Sequence, residues 1–584
     1  LLALWAVNGI RVGKVVRSMD QQFQGAAGRP RILIVGGVAG GASCAARARR
    51  MSEEAEIIMF ERGPFVSFAN CGLPYHVGNV IPDEADLLVA TPEHFRARFN
   101  IDVRVQNEVR LIDRDSKEVE VKDLTTGNVY RESYDALVLS PGATPIRPPL
   151  PGIDLPGIFT LRTIPDSRVI REWIDGHQVK RAIVVGGGFV GLEMVENLAR
   201  RGISVEIVEM LPQVMAVLDP EMALPIEDHL TAKGVTLHLG DAVAGFEPDV
   251  DGNAITVRTK SGQGYACDMV ILAIGVRPEV KLAGEAGLEI GELGGIRVDD
   301  RMRTSDGSIW AVGDAVEVRD VITGQWTLLA LAGPANRQGR IAADVILGRD
   351  SVFRGVQGTA VCGVFDITVA ATGASERTLR RNGINGKPAQ YDKVYLHTTD
   401  HVDYYPGARD MTIKLLFSTP DGKVLGAQVV GGDGVAKRID VLSMAIQKGA
   451  TVFDLEESEL CYAPQFGAAK DPVNIAGMIA ANALRGDAPL VHWEDIDRAY
   501  SMILDVRTPG EYEAGHVEGA VNMPVNALRG RMEELPRDRE IVPYCIVGYR
   551  SYFATRILRL NGFNVRNIIG GTMSHDIYQR LSRR

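Results

Sequence analysis

The chain has 584 residues, enough for about three or four domains with large buried cores. Hydrophobic residues make up 46% and charged residues 24%, which is typical of soluble globular proteins and excludes a largely disordered or membrane-embedded chain. Acidic residues outnumber basic residues by 74 to 64. The resulting net charge of −10 argues against nucleic acid or an anionic membrane as a partner.

Residues 1–29 are interpreted as an extension ahead of the first domain. Their apolar stretch is too short to span a bilayer, and no basic region precedes it as in a secretory signal. The six cysteines form no C-x-x-C pair and no zinc spacing, which indicates a reduced, cytoplasmic protein without a metal site. Four thiols are interpreted as inert core residues: Cys44, Cys267, Cys362 and Cys461.

The first strong pattern is a β-α-β unit with a glycine turn, RILIVGGVAGGASCAARARR. Gly36 and Gly37 follow an apolar run, Gly41 lies at the start of a helical stretch, and Glu61 with Arg62 ends the second apolar run. This spacing suits a dinucleotide, because glycines admit the pyrophosphate to a helix N-terminus and the acid accepts hydrogen bonds from ribose hydroxyls.

A second, complete copy of the pattern occurs in RAIVVGGGFVGLEMVENL. It supplies Gly186, Gly188 and Gly191, and Glu209 ends the strand that follows the helix. A carboxylate there binds a free ribose 2′-hydroxyl and repels a 2′-phosphate, and no arginine follows it directly. The sequence therefore favours NADH, with NADPH as the alternative.

Two dinucleotide units in one chain favour a flavin together with a nicotinamide cofactor. LVLSPGATP contributes Ser140 and Gly142, and SIWAVGDA brings Asp314 and Ala315 to a strand end, where the carboxylate suits a ribityl hydroxyl of FAD. These segments flank the second glycine pattern, so the FAD-binding domain is predicted to be split. The predicted boundaries are 30–145 and 266–345 for the FAD-binding domain and 146–265 for the NAD(P)H-binding domain.

The C-terminal part of the chain has a different residue composition and pattern. Residues 346–468 combine valine- and threonine-rich strands with helical pieces, which predicts an α+β interface domain. Residues 469–490 read as helix and linker. Residues 491–584 form a separate unit in which strands and helices alternate.

Cys71 is the first candidate nucleophile. It lies in PFVSFANCGLPYHVG, just before Pro74, as at the start of a helix. A helix N-terminus lowers the pKa of a thiol, so we expect the Cys71 thiolate to dominate at neutral pH. No second cysteine lies within five residues, so the partner sulfur is expected to come from the substrate.

The first 470 or so residues resemble the single-cysteine branch of the pyridine nucleotide-disulfide oxidoreductases, most closely the coenzyme A-disulfide reductases. The resemblance lies in GGVAGGASCAARARR, SFANCGLPY, GGGFVGLEMVENL, AVGDA, HVDYYPGA and YAPQFGAAKDPVNIAG. It implies FAD, a homodimer and catalysis by Cys71, and it makes 346–468 the dimerisation domain. Two positions depart from the family pattern: His76, where an aromatic residue is common, and Val38, within the first glycine motif.

The resemblance also implies roles for individual side chains. Ser67 and Asn70 flank the thiol, and Arg50 helps to hold coenzyme A phosphates. Arg47 and Arg49 lie in the same basic run, whose alternative interpretation is a solvated helix face. Two hydroxyls from the partner subunit are implied near the sulfur, those of Tyr404 and Tyr462, with Tyr405 as an alternative to Tyr404.

Cys545 is the second candidate nucleophile. PYCIVGYRSYFATRILRL places it in a short loop that ends at Arg550, and such a loop aims backbone N–H groups at a sulfur anion. Arg550 is interpreted as a substrate-binding residue of this loop. With LDVRTPGEYEAGHVEGA upstream, the unit resembles a rhodanese domain, whose loop cysteine carries sulfur as a persulfide. The signature residues of that fold are interpreted as structural: Asp505, Arg507, Glu511 and His516.

The predicted fold class is α/β: two dinucleotide-binding Rossmann-like domains, an α+β dimerisation domain and a C-terminal rhodanese-like α/β domain. The predicted function is NADH-driven reduction of coenzyme A persulfide, polysulfide or disulfide at Cys71, with Cys545 carrying sulfane sulfur toward coenzyme A or another thiol. Two alternatives stay open. Cys71 as a sulfenic acid would give an NADH peroxidase or oxidase, and a structural FAD would give a redox-sensing binding protein.

Overall fold

The computed structural model describes residues 29–248 and 254–583. Nearly all of the predicted extension at 1–29 therefore lies outside the described residues. Within them, no helix is long and apolar enough to cross a membrane.

The first domain is built on a parallel sheet that is buried on both faces. Its central strand carries Ile32, Leu33 and Ile34, all fully buried, as expected when helices cover both sides of a sheet. In spatial order the strands are Ile309–Ala311, Ala136–Leu139, Arg31–Val35, Glu56–Glu61 and Asp102–Val105. Two small sheets flank it: Asn107–Asp113, Glu118–Asp123 and Val129–Ser133, and Ile296–Arg297, Val316–Arg319 and Trp326–Leu328.

The helices Ala39–Met51 and Ala332–Ile346 of this domain pack closely because small residues line their contact. A side chain at Gly339 would overlap the backbone carbonyl of Gly40, so glycine is required for this approach. The helices of the domain are Ala39–Met51, Leu73–Val77, Pro92–Phe99, Lys281–Glu285 and Ala332–Ile346, with 3-10 turns at Asn70–Gly72, Glu84–Leu87 and Gly313–Ala315.

The second domain repeats the same design. Its parallel strands are Thr236–Leu239, Ser204–Glu209, Arg181–Val185, Met269–Leu272 and Ile158–Phe159. Its helices are Ile164–His177, Phe189–Arg200 and Pro220–Ala232, and its antiparallel sheet is Val243–Pro248, Ile255–Thr259 and Gly264–Cys267. Met269–Leu272 pairs with Arg181–Val185, so the second sheet extends beyond the boundary expected at residue 265. A two-stranded ribbon, Ala143–Pro145 with Val276–Pro278, joins the two domains.

The third domain is an antiparallel sheet backed by helices, which agrees with the α+β pattern of its sequence. Its strands, in spatial order, are Ala360–Val364, Ile367–Gly373, Val424–Gly431, Asp410–Ser418 and Tyr391–Thr399. Its helices are Glu376–Asn382, Val435–Lys448, Val452–Glu457 and Pro472–Leu484.

The C-terminal domain has a parallel sheet of Val521–Asn522, Ser501–Asp505 and Glu540–Tyr544, and a pair of strands, Leu490–Val491 and Asn567–Ile568. Its helices are Pro509–Ala514, Leu528–Arg531, Tyr549–Leu560 and Gly571–Ser582, with 3-10 turns at Trp493–Asp495 and Met532–Glu534.

Polar contacts dock the C-terminal domain on the two preceding domains. Arg580 pairs with Asp228 of the second domain. Glu494 accepts a hydrogen bond from Lys393 at 2.9 Å, and a ring nitrogen of His397 lies 2.9 Å from the hydroxyl of Ser574.

Candidate active sites at Cys71 and Cys545

The first glycine turn forms a cradle at the end of the central strand. Gly36 has a φ of +93°, and a Cβ there would overlap the carbonyl oxygen of Ser140. A Cβ at Gly41 would overlap the carbonyl oxygen of Gly36. Glu61 accepts the N–H of Gly37 at 2.9 Å, which places its carboxylate beside the turn. This geometry fits the pyrophosphate and ribose of a dinucleotide.

The second glycine turn repeats this geometry. Gly186 has a φ of +108°, and a Cβ at Gly191 would overlap the carbonyl oxygen of Gly186. Glu209 accepts the N–H of Gly187 at 2.7 Å. A Cβ at Gly188 would meet no atom within 4 Å, so this glycine borders open space at the helix N-terminus. The second cradle therefore also fits a dinucleotide.

Cys71 lies in the 3-10 turn Asn70–Gly72, which leads directly into the helix Leu73–Val77, and its side chain is exposed. Ser67 adopts a left-handed φ of +49°, and its N–H donates to the carbonyl of Gly37 at 2.8 Å. The segment that carries the thiol is thereby fixed to the first glycine turn.

Arg162 connects the segments around the thiol, and sequence reasoning missed it. The Asn70 amide donates to the Arg162 carbonyl at 3.0 Å, and the Arg162 guanidinium lies 3.2 Å from the carboxylate of Asp314. The same guanidinium lies against Gly142, where a Cβ would come within 2.9 Å of it. The side-chain amide oxygen of Asn70 is buried without a hydrogen-bond partner, which leaves an acceptor for a bound group.

The expectation of a lowered pKa at Cys71 is wrong for the described residues. Although Cys71 is exposed to solvent as a residue, the partial desolvation of its sulfur by neighbouring protein raises the pKa of the thiol above its ordinary value. The carboxylates of Glu193 and Asp314 raise it further, whereas Arg162 lowers it. The turn and the helix behind Cys71 are short, so few peptide dipoles oppose these effects. The tertiary neighbours therefore decide the direction of the shift.

Glu193 is a second residue that the sequence did not single out. The helix Leu73–Val77 packs on Phe189–Arg200: a Cβ at Gly78 would overlap the side chain of Asn197, one turn beyond Glu193. Burial, with the nearby Glu196, raises the pKa of Glu193 to about 7. Cys71 thus lies where the first domain meets the helix that follows the second glycine turn.

Of the three arginines considered for coenzyme A, one has an exposed side chain. Arg50 is exposed at the end of the helix Ala39–Met51. Arg49 is buried and donates to five backbone carbonyls, and Arg47 pairs with Asp344 at 2.6 Å. The suggestion that Arg47 and Arg49 contribute to an anion site is therefore wrong, because other partners hold both.

The two tyrosines implied by the family resemblance lie together. The hydroxyls of Tyr404 and Tyr462 are 2.8 Å apart, and 71% and 45% of these residues are exposed. Tyr405 instead packs edge-on against His401. Tyr404 is therefore the member of the adjacent pair that joins Tyr462 on the surface of the third domain.

Solvent exposure distinguishes the remaining residues that the sequence singled out, one histidine and four cysteines. His76 is buried in the helix Leu73–Val77, with its ring 3.0 Å from the Ser167 hydroxyl. Cys461 is exposed beside Tyr462, so its interpretation as a core residue is wrong. The remaining three thiols are buried, and burial raises the pKa of each to about 12: Cys44, Cys267 and Cys362.

Cys545 lies at the end of the strand Glu540–Tyr544, and only 1% of it is exposed. The N–H of Gly548 donates to its sulfur at 3.2 Å, and Gly548 has a φ of +97° that turns the loop into the helix Tyr549–Leu560. Backbone donors at this turn and at the helix N-terminus suit a sulfur anion.

The signature residues of the fourth domain support this loop. Arg507 makes a buried ion pair with Asp505, which also accepts the hydroxyl proton of Tyr544. Glu511 accepts two hydrogen bonds from Arg550, at 2.7 and 2.8 Å. The His516 ring stacks on Tyr512 at the surface. These contacts agree with structural roles.

Family comparisons cover nearly all of the described chain. Residues 30–339 match the pyridine nucleotide-disulphide oxidoreductase family, 359–471 match the dimerisation domain of the same family, and 490–574 match the rhodanese-like domain. The chain belongs to the pyridine nucleotide-disulphide oxidoreductase family. Membership implies FAD and a nicotinamide dinucleotide as cofactors, and the two glycine cradles fit such groups.

Two curated relatives are each similar to more than three quarters of this chain. A Methanocaldococcus jannaschii protein named NADH oxidase is 37% identical over 456 residues, which is 78% of this chain and 99% of the relative. A Staphylococcus aureus coenzyme A disulfide reductase is 35% identical over 449 residues, 77% of this chain and 99% of the relative.

Two solved structures extend the similarity into the fourth domain. Reduced CoADR-RHD from Bacillus anthracis is 47% identical with a TM-score of 0.91, covering 95% of this chain and 99% of that one. A NAD-dependent persulfide reductase from A. fulgidus is 37% identical with a TM-score of 0.84, covering 93% of this chain and 99% of that one. The predicted fold class, with its C-terminal rhodanese-like domain, is confirmed.

Proposed function

We propose that the chain is an NAD(P)H-dependent flavoprotein reductase of coenzyme A persulfide, polysulfide or coenzyme A disulfide, joined to a domain that carries sulfane sulfur on Cys545. The observation that carries the proposal is the exposed Cys71 thiol, which lies between the first glycine cradle, the Asp314 turn and the helix of the second glycine cradle. The relatives named coenzyme A disulfide reductase and persulfide reductase support the substrate class.

The cofactor sites are assigned to the two cradles. The preference for NADH rests on Glu209, whose carboxylate lies beside the second glycine turn and would repel a 2′-phosphate. The proposed domain map keeps the boundaries predicted from the sequence with two exceptions. The NAD(P)H-binding domain includes Met269–Leu272. The dimerisation domain includes the helix Pro472–Leu484, which the sequence placed in a linker, because its buried residues join the core of that domain. FAD is assigned to Gly36, Gly37, Gly41, Glu61, Arg62, Ser140, Gly142, Asp314 and Ala315, and the nicotinamide dinucleotide to Gly186, Gly188, Gly191 and Glu209.

The chemistry at Cys71 has two steps. The Cys71 thiolate attacks the outer sulfur of a persulfide R–S–SH, which gives Cys71–S–SH and releases R–S⁻. FAD held by the first glycine cradle would supply two electrons from NAD(P)H, which would cleave the new S–S bond and give Cys71–S⁻ and HS⁻. Because the pKa of Cys71 is raised, its thiolate needs a nearby positive charge. The guanidinium of Arg162 supplies that charge, since it lowers the pKa of the thiol.

We assign coenzyme A binding to Arg50, Ser67 and Asn70. Arg50 presents an exposed cation to the phosphates, and the free acceptor of Asn70 lies next to the thiol in sequence. A homodimer belongs to the proposal: the exposed Tyr404 and Tyr462 pair would reach the sulfur of the partner subunit as proton donors. A cytoplasmic location also stays part of the proposal.

The test is an anaerobic titration of the flavin-loaded protein with NADH and then with coenzyme A persulfide, while the flavin spectrum and sulfide release are followed. Cys71→Ser should abolish NADH-dependent reduction and retain persulfide formation on Cys545, and Cys545→Ser should do the reverse. If neither change separates the two activities, the proposed division of work between the domains is wrong.

One observation favours a second candidate: the Methanocaldococcus jannaschii relative is named NADH oxidase. In that case Cys71 would cycle through a sulfenic acid. Rapid NADH turnover with oxygen or peroxide, and none with coenzyme A persulfide, would select this candidate.

A further inference from the structure

A cavity of about 1120 Å³ lies where the second, third and fourth domains meet. The helix Gly571–Ser582 of the fourth domain and the helix Glu376–Asn382 of the third domain both contribute side chains to its wall. The described residues that line it include neither Cys71 nor Cys545 and no glycine of the two cradles. This junction cavity is therefore separate from the sites described above, and its volume is at the upper end of the range for small-molecule sites.

The face of the last helix that lines the junction cavity is apolar and only partly buried. Ser574, Ile577, Tyr578 and Leu581 have the i, i+3, i+4, i+7 spacing of a single helix face. Such a face ordinarily packs on a core, yet in this helix, all of which is described, only Gly571 is buried. Because 42% of Tyr578 is exposed and Ile577 and Leu581 are half-buried, the face keeps apolar surface available to a bound group.

The neighbouring walls of the cavity are also apolar. Leu218 and Met222 line it from the second domain, and Trp493 lines it from the fourth domain. The indole N–H of Trp493 donates to the carbonyl of Gly571 at 2.9 Å, so its one polar group is already satisfied. These side chains therefore favour a ligand with an apolar body.

The acidic side chains of the cavity are paired with cations. Four carboxylates line it: Asp219, Glu221, Glu376 and Glu494. Lys414 contacts the first three of them, and Lys393 pairs with Glu376 at 3.0 Å and with Glu494 at 2.9 Å. Arg380 adds a contact with Glu376 at 2.6 Å. Three cations thus offset most of the negative charge of this acidic group.

Two further guanidinium groups are not used in this way. Arg377 and Arg381 line the cavity from the helix Glu376–Asn382, and both are exposed. Arg377 donates to the carbonyl of Ala216, and Arg381 donates to the side chain of Asn382 at 3.0 Å. Among the residues that the structure describes, neither arginine is paired with a carboxylate. The surroundings of the cavity therefore carry a small net positive charge at its solvent side.

We infer that the junction cavity binds an organic carboxylate with an apolar body, such as a medium-chain acyl carboxylate. The chain lies along the face from Ser574 to Leu581, which extends over about 10 Å. Arg377 and Arg381 hold the carboxylate, because a guanidinium matches a carboxylate in charge and in planar geometry. A single negative charge matches this site better than a polyphosphate does, since the net positive charge is small.

The inference is independent of the proposed function, because no residue assigned to the reductase or to sulfur transfer takes part. It adds a site whose ligand contacts three domains at once. A ligand that binds only this docked arrangement stabilises it by mass action, so the occupant would hold the fourth domain on the other two.

The test measures binding of decanoate to the full-length, flavin-loaded protein by isothermal titration calorimetry at neutral pH. We expect one site per chain with a Kd on the order of 50 µM, as for a ligand of about a dozen non-hydrogen atoms. Decyltrimethylammonium has the same chain with a positive charge and should bind at least about 10-fold more weakly. Butyrate keeps the carboxylate but loses most of the chain, so it should show no measurable binding.

Hydrogen exchange followed by mass spectrometry locates the site. Decanoate should slow exchange in the peptides that cover Gly571–Ser582 and Glu376–Asn382, because it contacts both helices. Exchange in the peptides that carry Cys71 and Cys545 should stay unchanged.

Two variants separate the roles of charge and apolar contact. Arg377→Gln/Arg381→Gln removes both free cations and should raise the Kd for decanoate about 10-fold. Tyr578→Ala removes apolar surface and should raise it by a similar factor, about 10-fold. The matched controls change exposed residues of the fourth domain outside the cavity: Arg529→Gln and Tyr500→Ala. Both controls should keep the Kd within about twofold of the parent value.

A Kd for decanoate above about 1 mM would overturn the inference. Equal binding of decyltrimethylammonium, or a Kd that neither cavity variant changes in a folded protein, would also overturn it. Slower exchange confined to the segments around Cys71 or Cys545 would place decanoate in the sites described above and contradict the assignment to this cavity. NADH-dependent turnover is measured separately and is unaffected by any of these outcomes.

Discussion

The guanidinium of Arg162 lies 3.2 Å from the carboxylate of Asp314, although the two residues are 152 positions apart in the chain. Both charges act on Cys71: the arginine lowers the pKa of the thiol and the aspartate raises it. The ionisation of the thiol is therefore set by residues from three segments that only the fold brings together.

This arrangement predicts opposite effects for two substitutions. Arg162→Ala should raise the pKa of Cys71, because it removes the nearby cation. Glu193→Gln should lower the pKa of Cys71, because it removes an anion. The pH dependence of alkylation by iodoacetamide measures both, since only the thiolate reacts.

The control for these variants is Arg168→Ala, which removes an arginine whose partner is Glu84 at the surface. Its alkylation profile should match that of the parent. If Arg162→Ala and Glu193→Gln shift the profile in the same direction, Cys71 is not governed by these charges.

The second glycine cradle predicts different outcomes for neighbouring glycines. Gly188→Ala should leave thermal stability unchanged, since its Cβ meets no atom, and should raise the KM for NADH about 10-fold by filling space at the helix N-terminus. Gly191→Ala should destabilise the protein by about 1–3 kcal/mol, because its Cβ overlaps the Gly186 carbonyl. Calorimetry and steady-state kinetics separate the effects. An unchanged KM in Gly188→Ala would place the dinucleotide elsewhere.

Replacement of a buried lysine is expected to lower the stability of the folded protein strongly. Lys414 is fully buried, 2.7 Å from Asp219 and 2.5 Å from Glu376, and it also contacts Glu221. Lys414→Met should destabilise the folded protein by about 3–5 kcal/mol, because it leaves the buried carboxylate of Asp219 without its cation. Urea unfolding measures this. The control Lys423→Met alters an exposed lysine and should change stability by less than about 0.5 kcal/mol.

The same cluster predicts a pH dependence. Burial by itself raises the pKa of Glu376, but Lys414 and Lys393 bring it down from 4.5 to about 2. Since the folded pKa lies below the unfolded value, the stabilisation by this carboxylate is present above pH 4.5 and is lost as the pH falls toward 2. The urea midpoints of the parent and of Glu376→Gln should therefore differ at neutral pH and converge in acid. A difference that stays constant with pH would contradict this assignment.

The surface tyrosines predict complementation between subunits. A Cys71→Ser protein and a Tyr404→Phe/Tyr462→Phe protein should each be weak reductases alone. After unfolding and refolding together, about half of the dimers are mixed and each has one intact site, so about a quarter of the parent activity should return. Tyr405→Phe in place of the double variant is the control and should stay active alone. No recovery in the mixture would show that the tyrosines do not serve the partner's thiol.

The sequence by itself determined the features that depend on neighbours in the chain. The glycine turns, the acids at Glu61 and Glu209 and the run of apolar strand residues follow from local patterns, because a strand–turn–helix unit encodes its geometry within about 30 residues. The family resemblance and the fold class followed from the same local motifs, and the comparisons confirmed both.

Only the tertiary structure decided the electrostatics. The helix after Cys71 pointed to a lowered pKa, but burial, Glu193 and Asp314 reverse the direction. Arg49 looked like an anion ligand in the sequence, yet the fold surrounds it with backbone carbonyls. Coulombic and desolvation effects depend on distance in space rather than along the chain, so no local pattern contains them.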